Sequence, residues 1–119
     1  MANFTDYFVR NSDNVITLSL TENDSVISSN ATEIVIKMYQ GYSSQVALTI
    51  TRTPDGDGVT YSAGVLEVEP SGLTETLTTL VDGRVYSVTV LIKTVLEPDG
   101  VLFGGADSDD KMFWHVSTA

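Results

Sequence analysis

One segment of the chain, Asp82 to Lys93, constrains the fold more than any other. It opens with an Asp-Gly pair, which supplies the positive-φ position of a tight turn. The residues that follow are almost all β-branched, aromatic or hydroxylated, as in a strand whose two faces are both occupied. Alternate positions share one wholly apolar face: Tyr86, Val88, Val90 and Ile92. The segment therefore predicts a central strand of a β-sandwich, with the Tyr86 ring in the core and its hydroxyl near an edge.

A period of two recurs along the rest of the chain. Apolar residues recur at every second position of 16–20, 34–39, 46–50, 59–62, 65–69 and 112–116, which predicts further strands. A brief pairing segment is expected at 101–103, and the densest turn signal lies at 53–58. Leucines spaced by four and three predict a short helical crossover over Leu73–Leu80. The fold class is therefore all-β, a single Ig-like β-sandwich of about seven or eight strands that spans residues 1–119.

The charge balance excludes two classes of partner. Six basic residues face 16 acidic ones, which gives a formal net charge of -10. Nucleic acid and anionic membranes both require a clustered cationic surface, and so we expect neither as a partner. The chain has no cysteine, which excludes disulfides and thiolate metal sites and favours assembly in a reducing cytoplasm. Its first residues also lack the basic start and apolar run of a signal peptide.

No catalytic constellation emerges from the sequence. His115 is the only histidine, and the chain has no Gly-x-Ser-x-Gly elbow to expose a nucleophile. A histidine between Trp114 and Val116 in a strand is typical of an edge or interface position. We therefore expect a protein that is not an enzyme, has no catalytic residue and needs no cofactor.

The best metal candidate is the turn that contains Asp55 and Asp57. Alternating aspartates and glycines resemble the start of a calcium loop, where carboxylates converge on a hard cation. Leu66 occupies the twelfth position, where an EF-hand needs an acidic residue, and Glu67 comes one place later. Asp-Gly pairs are also common in hairpin turns for conformational reasons alone. The turn is therefore a weak calcium candidate, with an ordinary hairpin turn as the main interpretation.

Aromatic residues cluster near both ends of the chain, within segments 1–13 and 97–119. They are Phe4, Tyr7, Phe8, Phe113 and Trp114. Two interpretations stand side by side. The terminal segments are either ordinary core strands or carriers of anchors for neighbouring subunits, since aromatic residues dominate the buried centres of interfaces.

Several segments together resemble the small Ig-like domains of tailed-phage virions. The segments are Ile16–Asn23, Thr32–Met38 and the Asp-Gly turn before Val85–Val88, and the likeness runs from Asn14 to Ile92. The nearest family is the N-terminal domain of phage baseplate upper proteins. In that family a leu-thr-glu-asn start precedes a strand, and an Asp-Gly-x-Tyr turn leads into a late strand.

The resemblance implies a function in a virion. We expect a structural subunit that is assembled in the host cytoplasm and contacts other virion proteins in multiple copies. It would serve as a head decoration protein or as a head-tail, tail or baseplate attachment protein. The alternative is a carbohydrate- or calcium-binding surface module. Sugar stacking would then need Tyr39, Tyr42 and Tyr61 exposed in a shallow groove.

Overall fold

The computed structural model describes residues 3–10, 12–13, 15–19, 21–22, 25–26, 31–40, 45–53, 56–62, 64–95, 98–104 and 111–118. Its strands are β1 (Asn3–Arg10), β2 (Ile16–Ser19), β3 (Thr21–Glu22), β4 (Ser25–Val26), β5 (Ala31–Gln40), β6 (Val46–Arg52), β7 (Val59–Ser62), β8 (Val65–Val68), β9 (Val85–Thr94), β10 (Val101–Phe103) and β11 (Lys111–Thr118). Eight of the strands in the described part of the chain have four or more residues; β1 is one that the period of two did not predict, and the predicted pairing segment 101–103 is the short strand β10.

The strands form two main sheets. The large sheet has the order β1-β11-β9-β5-β6, and β10 also pairs with β9. The small sheet has the order β2-β8-β7. The short strands β3 and β4 form a separate two-stranded sheet. The pairing of β1 with β11 is parallel, and the other pairings are antiparallel. The predicted Ig-like sandwich is thus confirmed, and β9, which follows the Asp-Gly turn, lies in the middle of the large sheet.

The core lies between the two sheets and is built by the predicted alternation. Side chains at alternate positions of β9 are fully buried, namely Tyr86, Val88, Val90 and Ile92. Facing them across the sandwich, Val59, Leu66 and Val68 of the small sheet are buried as well. Burial of each such side chain contributes about 1.5–3 kcal/mol to stability. The inward half of each strand therefore determines how the sheets pack.

The Asp82-Gly83 turn holds β9 in place through the hydroxyl of Tyr86. Gly83 has a φ of 84°, and the Arg84 N–H donates to the Val81 carbonyl across the turn. The Tyr86 ring is buried, and its hydroxyl accepts a hydrogen bond of 2.8 Å from the Val81 N–H. A tyrosine near the start of this strand that hydrogen-bonds the preceding corner is a hallmark of Ig-like domains.

Two local features differ from the simple sequence pattern. The predicted crossover at 73–80 is reduced to one 3₁₀ turn, Leu77–Thr79, and a second such turn, Pro70–Gly72, precedes the segment. The threonines here lower helix propensity, and the burial of Leu80 fixes the segment by packing instead. Val46 is exposed because the β5–β6 register shifts next to it, so that Ala47 packs against the core in its place.

Candidate interaction surface

The two terminal strands meet at one edge of the large sheet. Parallel pairing of β1 with β11 sets Tyr7 opposite His115 and Phe8 opposite Val116. Arg10, at the end of β1, anchors this edge: its guanidinium forms an ion pair with Asp82 and donates to the Leu80 carbonyl at 3.2 Å. The terminal strands β1 and β11 thus belong to the sandwich itself.

The predicted terminal aromatics divide between the two faces of this edge. Phe8 and Trp114 are core residues, with exposed fractions of 0% and 1%, and their rings stack with centroids 5.4 Å apart. They therefore do not lie on an exposed surface of the chain and correspond to the core interpretation. Tyr7 and Phe113 point the other way: Tyr7 is 65% exposed and Phe113 is half-buried. The side chain of Phe4 lies outside the part of the chain that the structure describes.

An aromatic patch formed by Tyr7, Phe113 and His115 results on the outside of the terminal strands. The rings of Tyr7 and His115 lie 5.4 Å apart at an interplanar angle of 41°, and His115 is half-buried. Such a tilted pair is a favourable aromatic contact and limits the motion of the exposed Tyr7 ring. β11 lies between β1 and β9, and so His115 is not on an edge strand. No described serine–histidine–aspartate contact gives it a catalytic setting.

The patch continues into a larger surface, which we call the outer sheet face. It consists of the outward side chains of the large sheet: Tyr7, Phe113, His115, Val85, Ser87, Thr89, Leu91, Lys93, Glu33, Val35, Lys37, Tyr39, Val46, Thr49, Thr51 and Leu102. All of these remain exposed or half-buried. The surface is continuous across neighbouring strands, because Phe113 lies opposite Ser87 and Ser87 lies opposite Tyr39.

The outer sheet face is poor in carboxylates. Among its described side chains, Glu33 is the only acidic residue, and it forms an ion pair of 2.8 Å with Lys93. Lys37 adds a further positive charge near the centre of the face. In a chain with 16 acidic residues this face is therefore electrostatically distinct.

The outside of the small sheet is different. A shallow cleft of about 280 Å³ lies there, lined by Val15, Gly56, Asp57, Gly58, Val59, Thr60, Glu67 and Glu69. Three of these residues are acidic, and the Ser71 hydroxyl donates to Asp13 at 2.6 Å and to Glu69 at 3.3 Å. No group of three or more potential metal ligands comes together anywhere in the described part of the chain.

Asp57, which lines this cleft, lies in the turn before β7 and helps to form that turn. Its φ of 43° lies in the left-handed region, and its carbonyl accepts a hydrogen bond of 2.9 Å from Arg52. The other predicted calcium ligand, Asp55, lies outside the described residues. The structure therefore adds no observation in favour of a calcium loop at this turn.

Arg52 is a residue that the sequence analysis missed. It is 9% exposed, and its guanidinium binds both carboxylate oxygens of Glu75 at 2.7 and 2.8 Å. The hydrogen bonds from Arg52 hold the pKa of Glu75 below its usual range, and those to Glu75 raise the pKa of Arg52. Further bonds to the carbonyls of Gly56 and Asp57 fix the turn. The signal was present, since the period of two after Leu48 and Ile50 places an arginine on the core side.

Of the three tyrosines proposed for sugar stacking, the structure describes Tyr39 and Tyr61, and they lie on opposite sides of the large sheet. Tyr61 is buried between the sheets, and burial raises the pKa of its hydroxyl. Tyr39 is half-buried on the outer sheet face, and Tyr42 lies outside the described residues. Tyr61 therefore cannot serve as an exposed stacking platform, which corrects that expectation.

Comparison with known proteins leaves the chain without an assigned family, since no protein-family model and no curated protein matches it. Among the described residues, no helix has the length and apolar character needed to cross a bilayer. The fold and the two contrasting outer faces are therefore the observations from which function must be argued.

Proposed function

We propose that the chain is a non-enzymatic structural subunit of a tailed-phage virion. It acts as a head decoration protein or as a head-tail, tail or baseplate attachment protein, in contact with other virion proteins. The resemblance of its turn and strand motifs to phage Ig-like domains supports this assignment. The observation that carries the proposal is the aromatic patch, in which Tyr7 stays 65% exposed on a strand that is firmly paired within the sandwich.

The mechanism is attachment by a rigid surface. Pairing with β11 and the Arg10 anchor hold the patch in one geometry, so that little conformational entropy is lost when it binds. Aromatic side chains of this kind provide the energetic centres of protein interfaces. Many modest contacts repeated over a particle then give firm attachment through multivalency.

The test uses the phage that encodes the chain. Mass spectrometry of purified particles should detect the protein, and particles produced without its coding sequence should rebind the purified protein. Tyr7→Glu should weaken rebinding at least about tenfold, because it removes an aromatic contact and buries an unpaired charge. Thr60→Glu is the matched control, since Thr60 is an exposed strand residue on the small sheet. Absence of the chain from purified particles, and no rebinding by the wild-type protein, would contradict the proposal.

A further inference from the structure

We infer that the outer sheet face is a self-association surface and that its partner is a second copy of this chain. The inference goes beyond the proposed function and rests on it for its place in an assembly: on the particle the aromatic patch at the edge of the face contacts another virion protein, whereas in the free protein the face pairs with a second copy. The contact itself needs only the purified protein. Three features of the face lead to this partner: its exposure, its size and its charge.

The face is a solvent-accessible sheet surface on which apolar and hydroxylated side chains outnumber charged ones. Val85, Val46 and Leu102 are among the large hydrophobic residues that remain exposed, with fractions of 41%, 41% and 57%. Between them lie the side chains of Ser87, Thr89 and Tyr39, all half-buried. A surface of this composition loses little on leaving water, because its hydroxyl groups can form hydrogen bonds across a contact.

The size of the face suits a stable dimer. Five paired strands at a spacing of about 4.8 Å span about 24 Å, and eight residues of strand extend about 27 Å. These dimensions fit within the extents of the domain, 38 × 29 × 21 Å. The resulting plane of about 650 Å² is close to the 800 Å² or so that each partner buries in a standard interface, before side-chain relief adds to it.

Charge selects a second copy as the occupant. Two chains of net charge -10 repel each other, and they approach at least cost where carboxylates are fewest. On the outer sheet face the one described carboxylate, Glu33, is already paired with Lys93. A basic partner protein would instead be attracted to the small sheet, where Asp57, Glu67 and Glu69 surround the cleft.

The dimer geometry also keeps the acidic faces apart. If two outer sheet faces are in contact, the small sheets lie on the outside of a four-layer assembly. Their separation is then about 30 Å, since packed sheets are about 10 Å apart. This distance exceeds the Debye length of about 8 Å at physiological ionic strength, and so the repulsion between the two acidic faces is largely screened. A twofold contact of identical patches is also the commonest way for identical chains to associate.

Sedimentation velocity of the purified full chain over a range of concentrations tests the inference. The wild-type protein should shift from monomer to dimer as its concentration rises. Ser87→Glu places a carboxylate between Phe113 and Tyr39 and should raise the dimer dissociation constant at least about tenfold. Thr51→Glu should also weaken the dimer, whereas Thr60→Glu, the same change at an exposed strand residue on the opposite side of the sandwich, should not. Circular dichroism of each variant verifies the fold.

The outcomes separate this inference from the proposed function. A wild-type protein that stays monomeric up to about 1 mM overturns the self-association, as does a dimer that Thr60→Glu weakens and Ser87→Glu does not. If that monomer still rebinds particles and Tyr7→Glu abolishes rebinding, the occupant of the face is another virion protein and the proposed function stands. If the chain dimerises as described but is absent from particles, the proposed function fails and the contact remains.

Discussion

The two outer faces of the sandwich share one core but present opposite chemistry. The outer sheet face is large, mostly uncharged and aromatic at one edge, whereas the small sheet presents a cleft that includes Asp57, Glu67 and Glu69. Side chains alternate along each strand, so that the outward residues of both sheets take no part in packing the core. The chemistry of the two outer surfaces can therefore differ without any change in the core. We therefore look for function among the outward-facing side chains of the two sheets.

The same contrast exists between neighbours on a single strand. Trp114 is buried in the core, while Phe113 and His115 on either side of it lie on the aromatic patch. The indole Nε1 of Trp114 is the one buried side-chain polar atom without a hydrogen-bond partner in the described residues. Burial of that unpaired donor carries a cost, which the packing of the large indole ring in the core must offset.

The largest expected effect separates core from surface. Trp114→Ala should lower the free energy of unfolding by about 3–5 kcal/mol, because it leaves a cavity in the core. Phe113→Ala, one residue earlier on the opposite face, should lower it by less than about 1.5 kcal/mol, since the side chain is half-buried. Urea denaturation measures both values. Equal losses in the two variants would mean that the assigned alternation of β11 is incorrect.

A second prediction concerns the ion pair that supports the small-sheet side. Glu75→Gln should lower the free energy of unfolding by about 1.5–3 kcal/mol, because Arg52 is buried and would lose its charged partner. Since the folded-state pKa of Glu75 is lowered, its contribution is present above the ordinary value of 4.5 and is lost as the pH falls through and below it.

Equilibrium unfolding at pH 7 and near pH 3 measures this effect. The difference between wild type and Glu75→Gln should be large at pH 7 and shrink at the lower pH. A difference that does not change with pH would show that the variant acts through packing and not through the charge of Glu75.

The third prediction concerns the effect of ionic strength on the dimer dissociation constant. Each chain has a net charge of -10, and so self-association must overcome the electrostatic repulsion between the two chains. Salt screens that repulsion. Raising the ionic strength from about 0.05 to about 0.5 M should therefore strengthen the dimer by several fold. Sedimentation equilibrium at the two salt concentrations gives the values. Weakening of the dimer by salt would point to contacts between opposite charges, which the outer sheet face does not offer.

The smallest expected effect is that of calcium on the acidic face. A site occupied at 100 times its dissociation constant would stabilise the fold by about 2.7 kcal/mol, which corresponds to a shift of several degrees in Tm. We expect 10 mM calcium to change Tm by less than about 1 °C at constant ionic strength. Magnesium at the same concentration is the control. A shift of several degrees with calcium alone would favour the surface module over the virion subunit.

The fold was largely predictable from the sequence because alternation reports burial directly. The inward residues of β5 and β9 were identified from their period of two, and the Asp82-Gly83 turn predicted where β9 begins. The sequence pattern and the structure differ where the local backbone conformation depends on pairing between distant segments. The register shift beside Val46 and the two 3₁₀ turns depend on contacts between distant segments, which local patterns do not contain.

The candidate surface was only partly predictable. The sequence identified the aromatic ends but could not tell which side of β1 and β11 each ring would occupy until the strands were paired. It missed the contribution of Ser87, Tyr39 and Lys37, since the outer sheet face arises from strands that are far apart in the chain. The period of two places Arg52 on the core side of β6, but its pairing with Glu75 could not be predicted, because it joins a sheet edge to a distant loop.

The central claim is that the outer sheet face, and not the small sheet, is the contact surface. The absence of cysteine allows a direct test, since Ser87→Cys and Thr60→Cys each introduce a single thiol on one of the two faces. Labelling rates with a maleimide reagent are measured in dilute and in concentrated protein. We predict that labelling of Ser87→Cys slows as the protein concentration rises while labelling of Thr60→Cys does not. Slower labelling of Thr60→Cys, with Ser87→Cys unchanged, would contradict the claim.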